Sequence, residues 1–187
     1  MRAIVYSVIG LLAASVVSCR FTESNKHTGD WAAFDQKPFV VRHVIDGDTI
    51  DIEPTTGGQH TKVRLIGVDA PEVDCYWCDS ATRYATARAD DKTVTIRLEP
   101  TRTRDKYGRL LAYVYLSDRE SLNIALVRDG QAYADRRFKH TYASQFEQAE
   151  NGARKKGTGL WKDVREEQMP AWRRQWLAER AAAASAR

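Results

Sequence analysis

The chain has 187 residues, of which 29% are charged and 43% hydrophobic, and its formal net charge is +4. This length and composition favour one globular domain with tails, and they exclude a chain too poor in apolar residues to build a core. Lys and Arg cluster at 102–109, 136–139, 154–156 and 173–174, which fits a polyanionic partner. From charge alone, a solvated basic surface without a partner is a slightly better explanation.

The first 18 residues differ from the rest of the chain. Arg2 is followed by an apolar run over residues 3–17, which is short for a membrane span and has the length of a signal-peptide core. The run ends with Val-Val-Ser before Cys19, a pattern that resembles the lipobox of bacterial lipoproteins. We therefore expect cleavage before Cys19 and acylation of that cysteine. An ordinary signal peptide cleaved elsewhere, with Cys19 incidental, is the alternative.

These features predict a location in the cell envelope, either lipid-anchored to a membrane or periplasmic or secreted. Residues 19–36 carry Ser, Thr, Asn, Gly and scattered charges, with few large apolar side chains. This composition predicts a tether between the lipid and the folded domain.

Five stretches after the tether have the alternating pattern of β-strands. In one of them, Val94, Ile96 and Leu98 alternate with polar residues, so one face of that strand is expected to lie in the core. The predicted strands cover residues 39–45, 49–53, 62–68, 93–99 and 110–116.

Three stretches within the domain have the apolar spacing of helices, at residues 79–90, 121–129 and 142–155. A C-terminal extension over residues 162–187 is predicted to contain a further helix that starts near Pro170. Its Trp172 and Trp176 are four residues apart and therefore share one face. We expect these tryptophans to pack against the domain, with binding to a membrane surface or nucleic acid as the alternative.

Three short motifs carry charged residues at strand ends and turns. Asp-Gly-Asp at 46–48 joins two strands, Val-Arg-Leu-Ile-Gly-Val-Asp-Ala-Pro-Glu occupies 63–72, and Asp-Lys-Tyr-Gly-Arg occupies 105–109. Each motif alone is typical of a solvated turn. Rigid strand ends that carry carboxylates and guanidiniums are also good places to hold a metal ion and a phosphate.

The motifs taken together are similar to a known family. IDGDT, VRLIGVDAPE and DKYGRLLAY occur in that order and are followed by Gly-Leu-Trp at 159–161. This order and spacing, over residues 38–161, resembles the staphylococcal nuclease (thermonuclease) family. The resemblance implies an α+β, mainly β domain over residues 37–161: a five-stranded Greek-key OB-fold barrel with about three helices, to which the C-terminal helical extension is added.

The resemblance also implies a calcium site. The expected ligands are Asp48, Asp69 and the backbone carbonyl of Ala70, with waters in the remaining positions. Carboxylate and carbonyl oxygens are hard ligands that suit Ca²⁺. Asp46, the other aspartate of the first turn, is expected to cap backbone amides of that turn.

The other matching positions supply phosphate binding and proton transfer. Arg64 and Arg109 match the family's two phosphate-clamping arginines, and Glu72 matches its proposed general base. Lys106 and Tyr107, in the turn that carries Arg109, are expected to contact substrate phosphate. The implied reaction is calcium-dependent hydrolysis of DNA and RNA to 3′-phosphate and 5′-hydroxyl ends by a monomer.

Two alternative functions would each require that the predicted active site does not catalyse hydrolysis. A non-catalytic, nucleic-acid-binding OB-fold lipoprotein is the main alternative, and the presence of all five carboxylates and arginines argues against it. A lipoprotein whose barrel binds another protein would require an idle site, which nothing in the chain calls for.

The chain departs from the family pattern in two loops. Where the family's type member has two base-stacking tyrosines, only Tyr133 and Phe138 are candidates here. The loop after Glu72 contains Cys75 and Cys78, which we predict to form a local disulfide in an oxidising compartment. Trp77 between them is either a stacking platform or a core plug, and the second is favoured.

Overall fold

A computed structural model describes residues 28–72 and 75–185 of the chain. The predicted signal peptide and Cys19 lie outside the described residues. The helices are α1 Thr28–Phe34, α2 Cys78–Ala89, α3 Leu122–Arg128, α4 Ala143–Lys156 and α5 Ala171–Ser185. The strands are β1 Lys37–Asp46, β2 Thr49–Pro54, β3 Thr61–Leu65, β4 Val68–Asp69, β5 Thr93–Leu98, β6 Leu110–Tyr115 and β7 Tyr133–Ala134.

Five of the strands form a closed barrel in the order β1-β2-β3-β6-β5. The barrel closes where β1 pairs antiparallel with β5, and β3 and β6 are its parallel pair. The predicted α+β class and five-stranded OB-fold barrel are therefore confirmed. The three predicted helices of the domain are present as α2, α3 and α4, and α5 begins directly after Pro170 as expected.

The core of the barrel follows from strand alternation. Along β5, Val94, Ile96 and Leu98 are buried and the residues between them are exposed. Leu122 and Leu126 of α3 join the same apolar cluster, so this helix covers part of the barrel. Burying one such side chain stabilises the fold by about 1.5–3 kcal/mol, which is enough to fix the strand register.

The predicted strand over residues 62–68 is two strands in the structure. The chain turns at Gly67, where φ is +75°, and a Cβ there would lie 2.6 Å from Cε1 of His140. After this turn β4 leaves the barrel and pairs antiparallel with β7. The turn places Asp69 in a second, two-stranded sheet beside the barrel, whereas Arg64 stays on the barrel wall.

The predicted tether is wrong for residues 28–36, which belong to the fold. Asp30 of α1 is buried, and its carboxylate accepts three hydrogen bonds from Arg104 and one, of 2.8 Å, from the hydroxyl of Thr103. A seven-residue helix is not stable alone, so this tertiary contact accounts for its formation. Within the described residues, no helix is both long enough and apolar enough to cross a membrane.

Candidate active site

A groove of about 990 Å³ runs along one side of the barrel, between the loop that carries Arg109 and the segment after β7. It is lined by all the residues predicted to bind metal, phosphate or water: Asp48, Asp69, Ala70, Arg64, Arg109, Glu72, Lys106 and Tyr107. The structure therefore brings residues from three separate stretches of chain to one surface. Their roles in a reaction stay predictions.

The Asp-Gly-Asp turn holds the first carboxylate in place. Oδ1 of Asp46 accepts a hydrogen bond of 2.9 Å from the backbone N–H of Asp48, which is the capping role predicted for Asp46. Oδ2 of Asp48 accepts a bond of 2.8 Å from the N–H of Ala70. Because Ala70 directly follows Asp69, this bond sets the position of the two predicted metal ligands relative to each other.

Arg64 lies between the two carboxylates. Its Nη2 is 3.0 Å from Oδ2 of Asp48 and 3.5 Å from Oδ1 of Asp69. Its Nη1 donates to the carbonyls of Leu65 and Val68, at 2.9 and 2.6 Å. The guanidinium is held by four acceptors, so its position in the groove wall is fixed before any ligand arrives.

The carboxylates of this cluster suit a divalent cation. Burial raises the pKa of Asp48 to about 7; Arg64 acts against this shift, and Asp46 and Asp69 add to it. A buried carboxylate with other carboxylates nearby gains more from a bound cation than an exposed one does. Both aspartates are buried, with 8% exposure for Asp48 and 6% for Asp69.

The donor set is made of hard oxygen ligands. Within residues 28–72 and 75–185, no group of three or more His, Cys, Asp or Glu side chains is arranged to hold a metal ion. The predicted ligands, two carboxylates and the carbonyl of Ala70, would leave the remaining coordination positions to water. Such a wet oxygen site fits Ca²⁺ and does not suit a soft metal.

Two further donors to Asp69 were not predicted from the sequence. Nη2 of Arg137 is 2.5 Å from Oδ1, and the indole Nε1 of Trp172 donates to Oδ2 over 2.8 Å. Arg137 belongs to one of the basic clusters seen in the sequence, but no pattern in the neighbouring residues indicated that it would bind Asp69. Trp172 is in α5, 103 positions from Asp69 along the chain.

The loop after β5 carries the second arginine. Asp105 accepts hydrogen bonds from the backbone N–H groups of Tyr107 and Arg109 and a bond of 2.7 Å from Nε of Arg109. Burial works against the charge of Asp105, but these hydrogen bonds outweigh it and lower its pKa. Nη1 of Arg109 is 3.4 Å from the hydroxyl of Thr49, the residue after Asp48. The carboxylate of Asp105 thus directs the guanidinium toward the carboxylate cluster.

The rim of the groove contains exposed groups. Glu72 is exposed, and the side chain of Tyr107 is 72% exposed. Phe138 lines the same groove and is 67% exposed, so it remains a candidate for base stacking. Tyr133 is 1% exposed and packs edge-on against Trp161, so it cannot serve as a stacking platform.

The loop between Glu72 and α2 is described from residue 75 onward. Cys75 and Cys78 are free thiols in the structure, although the backbone N–H of Cys78 donates to the carbonyl of Cys75 in one tight turn. The disulfide between them stays a prediction. The indole of Trp77 donates to Gln131 over 2.9 Å and is half-buried, which supports the core plug over the stacking platform.

These features define an OB-fold protein with a groove suited to a phosphate-bearing ligand. Comparison with known proteins identifies the family. Residues 62–163, more than half of the chain, match the family model described as staphylococcal nuclease homologue. The chain belongs to the staphylococcal nuclease family.

Several curated relatives cover most of the chain. A thermonuclease of Staphylococcus intermedius is 40% identical over 66% of this chain and 75% of its own length. A thermonuclease of Staphylococcus hyicus is 35% identical over 86% of this chain and 99% of its own length. A micrococcal nuclease of Shigella flexneri is 32% identical over 77% of this chain and 83% of its own length.

Proposed function

We propose that the protein is a nuclease that uses Ca²⁺ to hydrolyse DNA and RNA, leaving 3′-phosphate and 5′-hydroxyl ends. One observation carries the proposal: two buried carboxylates, two oriented guanidiniums and an exposed carboxylate line one groove. The names of the relatives, thermonuclease and micrococcal nuclease, support the same class of reaction.

A phosphodiester resists hydrolysis because its negative charge repels a nucleophile and increases in the transition state. A catalyst must therefore place fixed positive charge around the phosphorus and a base beside it. Ca²⁺ bound by Asp48, Asp69 and the Ala70 carbonyl would neutralise part of the charge on a phosphate oxygen.

Arg64 and Arg109 would bind the other phosphate oxygens. A guanidinium stays charged at any working pH and donates two hydrogen bonds in one plane, which matches the geometry of a phosphate. Within the guanidinium of Arg109, only Nε donates to Asp105, and Nη1 makes only a long contact to the hydroxyl of Thr49. The outer edge of this guanidinium can therefore bind a phosphate without breaking its short ion pair with Asp105.

Glu72 would act as the general base. It would take a proton from water as the water oxygen attacks phosphorus, and the bond from phosphorus to the 5′ oxygen would break on the opposite side. The departing 5′ oxygen would take a proton from solvent. The exposed position of Glu72 at the rim leaves space for a water between its carboxylate and a bound phosphate.

DNA and RNA are both proposed as substrates because the groove presents charge and aromatic surface. Lys106 and Tyr107 line it on one side, and Phe138 and Lys139 on the other. Phosphate contacts and stacking on rings do not depend on base identity, so cleavage is expected to be largely independent of sequence and to favour single strands. We further propose a monomer held in the cell envelope through acylated Cys19.

The function is tested by digesting single-stranded DNA and RNA with the purified full-length protein, first with Ca²⁺ and then with excess chelator. Glu72→Gln and Arg109→Ala are compared with Glu179→Gln and Arg83→Ala, which replace exposed residues of α5 and α2 outside the groove. End groups are identified by labelling with and without phosphatase treatment.

The proposal requires metal-dependent cleavage to 3′-phosphate ends that both groove variants lose and both control variants retain. Binding of DNA without cleavage by any divalent metal, in a folded wild-type protein, would instead establish the non-catalytic nucleic-acid-binding function.

A further inference from the structure

We infer that Trp172 is a positioning residue for the Asp69 carboxylate, so that the C-terminal helix α5 is part of the proposed metal site. The indole Nε1–H of Trp172 donates to Oδ2 of Asp69 over 2.8 Å. Because the inference assigns a role toward the proposed metal ligand, it rests on the proposed function.

The residue next to Trp172 fixes the helix. Arg173 is fully buried, and its Nη1 and Nη2 donate to the two oxygens of Glu150 on α4, at 2.8 and 3.0 Å. Its guanidinium lies 4.9 Å from the ring centre of Trp161 and 5.2 Å from that of Tyr133. A two-bond ion pair inside an aromatic enclosure allows little rotation, so the start of α5 has one position relative to the barrel.

A second connection runs from the same ion pair to the backbone of Asp69. Oε1 of Glu150 also accepts a hydrogen bond of 2.9 Å from the N–H of Ala134 in β7. Strand β7 pairs with β4, in which Asp69 is opposite Tyr133. The Glu150 carboxylate therefore locates both the helix that carries Trp172 and the strand pair that carries Asp69.

The two oxygens of Asp69 have different donors. Oδ1 receives the charged Nη2 of Arg137 and, at 3.5 Å, the charged Nη2 of Arg64, whereas Oδ2 receives the neutral indole of Trp172. Asp135 binds Nε and Nη2 of Arg137, at 2.9 Å each, and offsets part of its charge. Donors on both oxygens fix the plane of the carboxylate. The neutral donor does so without adding positive charge that would repel a divalent cation.

Packing alone would not require the indole nitrogen. The ring of Trp172 also lies 5.1 Å from the guanidinium carbon of Arg137, and a phenyl ring could keep much of that contact. Trp172→Phe therefore removes the donor and retains an aromatic side chain. Trp176→Phe is the matched control, because Trp176 is half-buried on the same helix and its ring faces Arg136, at 4.4 Å from the guanidinium carbon.

The first measurement is Ca²⁺ binding by calorimetry in the absence of nucleic acid, on the full-length protein and both variants. Loss of an outer hydrogen bond to a metal ligand typically weakens metal binding about 10–100-fold. We expect a weakening in that range for Trp172→Phe and less than about a 2-fold change for Trp176→Phe.

Cleavage assays give a second consequence of weaker Ca²⁺ binding. For Trp172→Phe at saturating DNA, kcat should fall at subsaturating Ca²⁺ and recover in part at high Ca²⁺, with KM for DNA nearly unchanged. Equal Ca²⁺ affinities for the two variants would overturn the inference.

The second measurement needs neither metal nor activity. Hydrogen exchange of the Trp172 indole N–H, followed by NMR in metal-free protein, should be at least about 10-fold faster in Asp69→Ala than in wild type. Exchange at the Trp176 indole should be the same in both. Equal exchange rates of the Trp172 indole in wild type and Asp69→Ala would overturn the inference. This measurement does not use Trp172→Phe, so it decides the inference even if that variant fails to fold. If the wild-type protein neither binds Ca²⁺ nor cleaves DNA, the proposed function fails, and the exchange rates alone decide whether Trp172 holds Asp69.

Discussion

The guanidinium of Arg173 and the carboxylate of Glu150 are joined by two hydrogen bonds, of 2.8 and 3.0 Å, and neither side chain has any exposed surface. A buried ion pair of this kind is costly to desolvate and strongly destabilising to break on one side only. It locates α5 against α4 and so places the indole of Trp172 at Asp69.

Replacing Arg173 with Met should lower the free energy of unfolding by about 3 kcal/mol, because Glu150 then stays buried without its principal cation. Arg136 remains 3.0 Å from Oε2 of Glu150 and limits the loss. Urea unfolding followed by circular dichroism measures the change. Arg174→Met, at the next and exposed position, should change stability by less than about 0.5 kcal/mol. A variant at Arg173 as stable as the control would show that the ion pair does not anchor the helix.

Gly47→Ala should damage the carboxylate cluster through sterics. A Cβ at Gly47 would lie 2.6 Å from the Cβ of Ala70 and 2.7 Å from that of Ala81. Neither methyl group can rotate away, so the turn that carries Asp48 must shift, at a cost of about 1–3 kcal/mol. We expect this loss in urea unfolding and at least a 10-fold loss of cleavage rate, as is typical when a catalytic group is displaced.

Gly152→Ala is the control for that substitution. Gly152 is inside α4, and a Cβ there would meet nothing within 4 Å. The alanine should raise stability by about 0.5–1 kcal/mol, because glycine is the poorer helix former. Gly47→Ala with unchanged stability and activity would contradict the close packing between the turn and Ala70.

The site residues that could be predicted from the sequence are those whose positions follow from patterns within a few neighbouring residues. Asp48 and Arg64 sit at strand ends whose alternation is visible over a few residues, and the Arg109 loop is marked by Gly108 and by the strand that follows it. The barrel was predictable for the same reason, since each strand has its own apolar face. The break at Gly67 also had a signal, because glycine inside a strand pattern often marks a bend.

The remainder depends on contacts between distant segments. Trp172 reaches Asp69 across 103 positions, and Arg137 reaches it across 68, so no periodicity relates these residues. Helix α1 was missed because its seven residues are held by a contact of Asp30 with Arg104, 74 positions away. Short elements stabilised by tertiary ion pairs have no propensity signal that separates them from a linker.

Arg64→Lys and Arg109→Lys should each lower kcat by about 100-fold or more, although both keep the charge. Arg64 binds two carbonyls through Nη1 and two carboxylates through Nη2, and a single ammonium cannot reach both sets. Arg109 needs Nε for Asp105 and its outer edge for a phosphate. Steady-state cleavage of single-stranded DNA gives kcat and KM. Arg83→Lys on the exposed face of α2 should behave as wild type. Nearly full activity in either groove variant would remove that arginine from the proposed phosphate clamp.

His140 should make stability depend on pH on the acid side of neutrality. Burial lowers its pKa from the ordinary value of 6.5, and the charges of Glu99 and Asp135 oppose this shift without cancelling it. The unfolded chain therefore binds a proton at a higher pH than the folded protein does. The contribution of His140 to stability is fully present above pH 6.5 and is lost as the pH is lowered through the folded pKa of His140. Glu99 has a pKa below 4.5 because hydrogen bonds from Tyr113 and Thr141 outweigh its burial, so its contribution is lost at lower pH.

The free energy of unfolding is measured in urea at steps from pH 7.5 to about 5, above the range in which Glu99 titrates. Asp48, with a pKa of about 7, also titrates in this window and acts in the opposite direction, because the folded protein binds its proton at a higher pH than the unfolded chain does. Wild type and variants share the Asp48 contribution, so their difference isolates the histidine: the stability of wild type relative to His140→Gln should decrease as the pH is lowered. His43→Gln, at an exposed position of β1, should retain the wild-type pH dependence. The Nδ1 atom of His140 is 3.1 Å from the hydroxyl of Tyr113, so the variant also loses a contact and should be less stable at every pH. The slope decides the prediction: equal slopes for wild type and His140→Gln would mean that the folded protein accommodates the imidazolium as readily as water does.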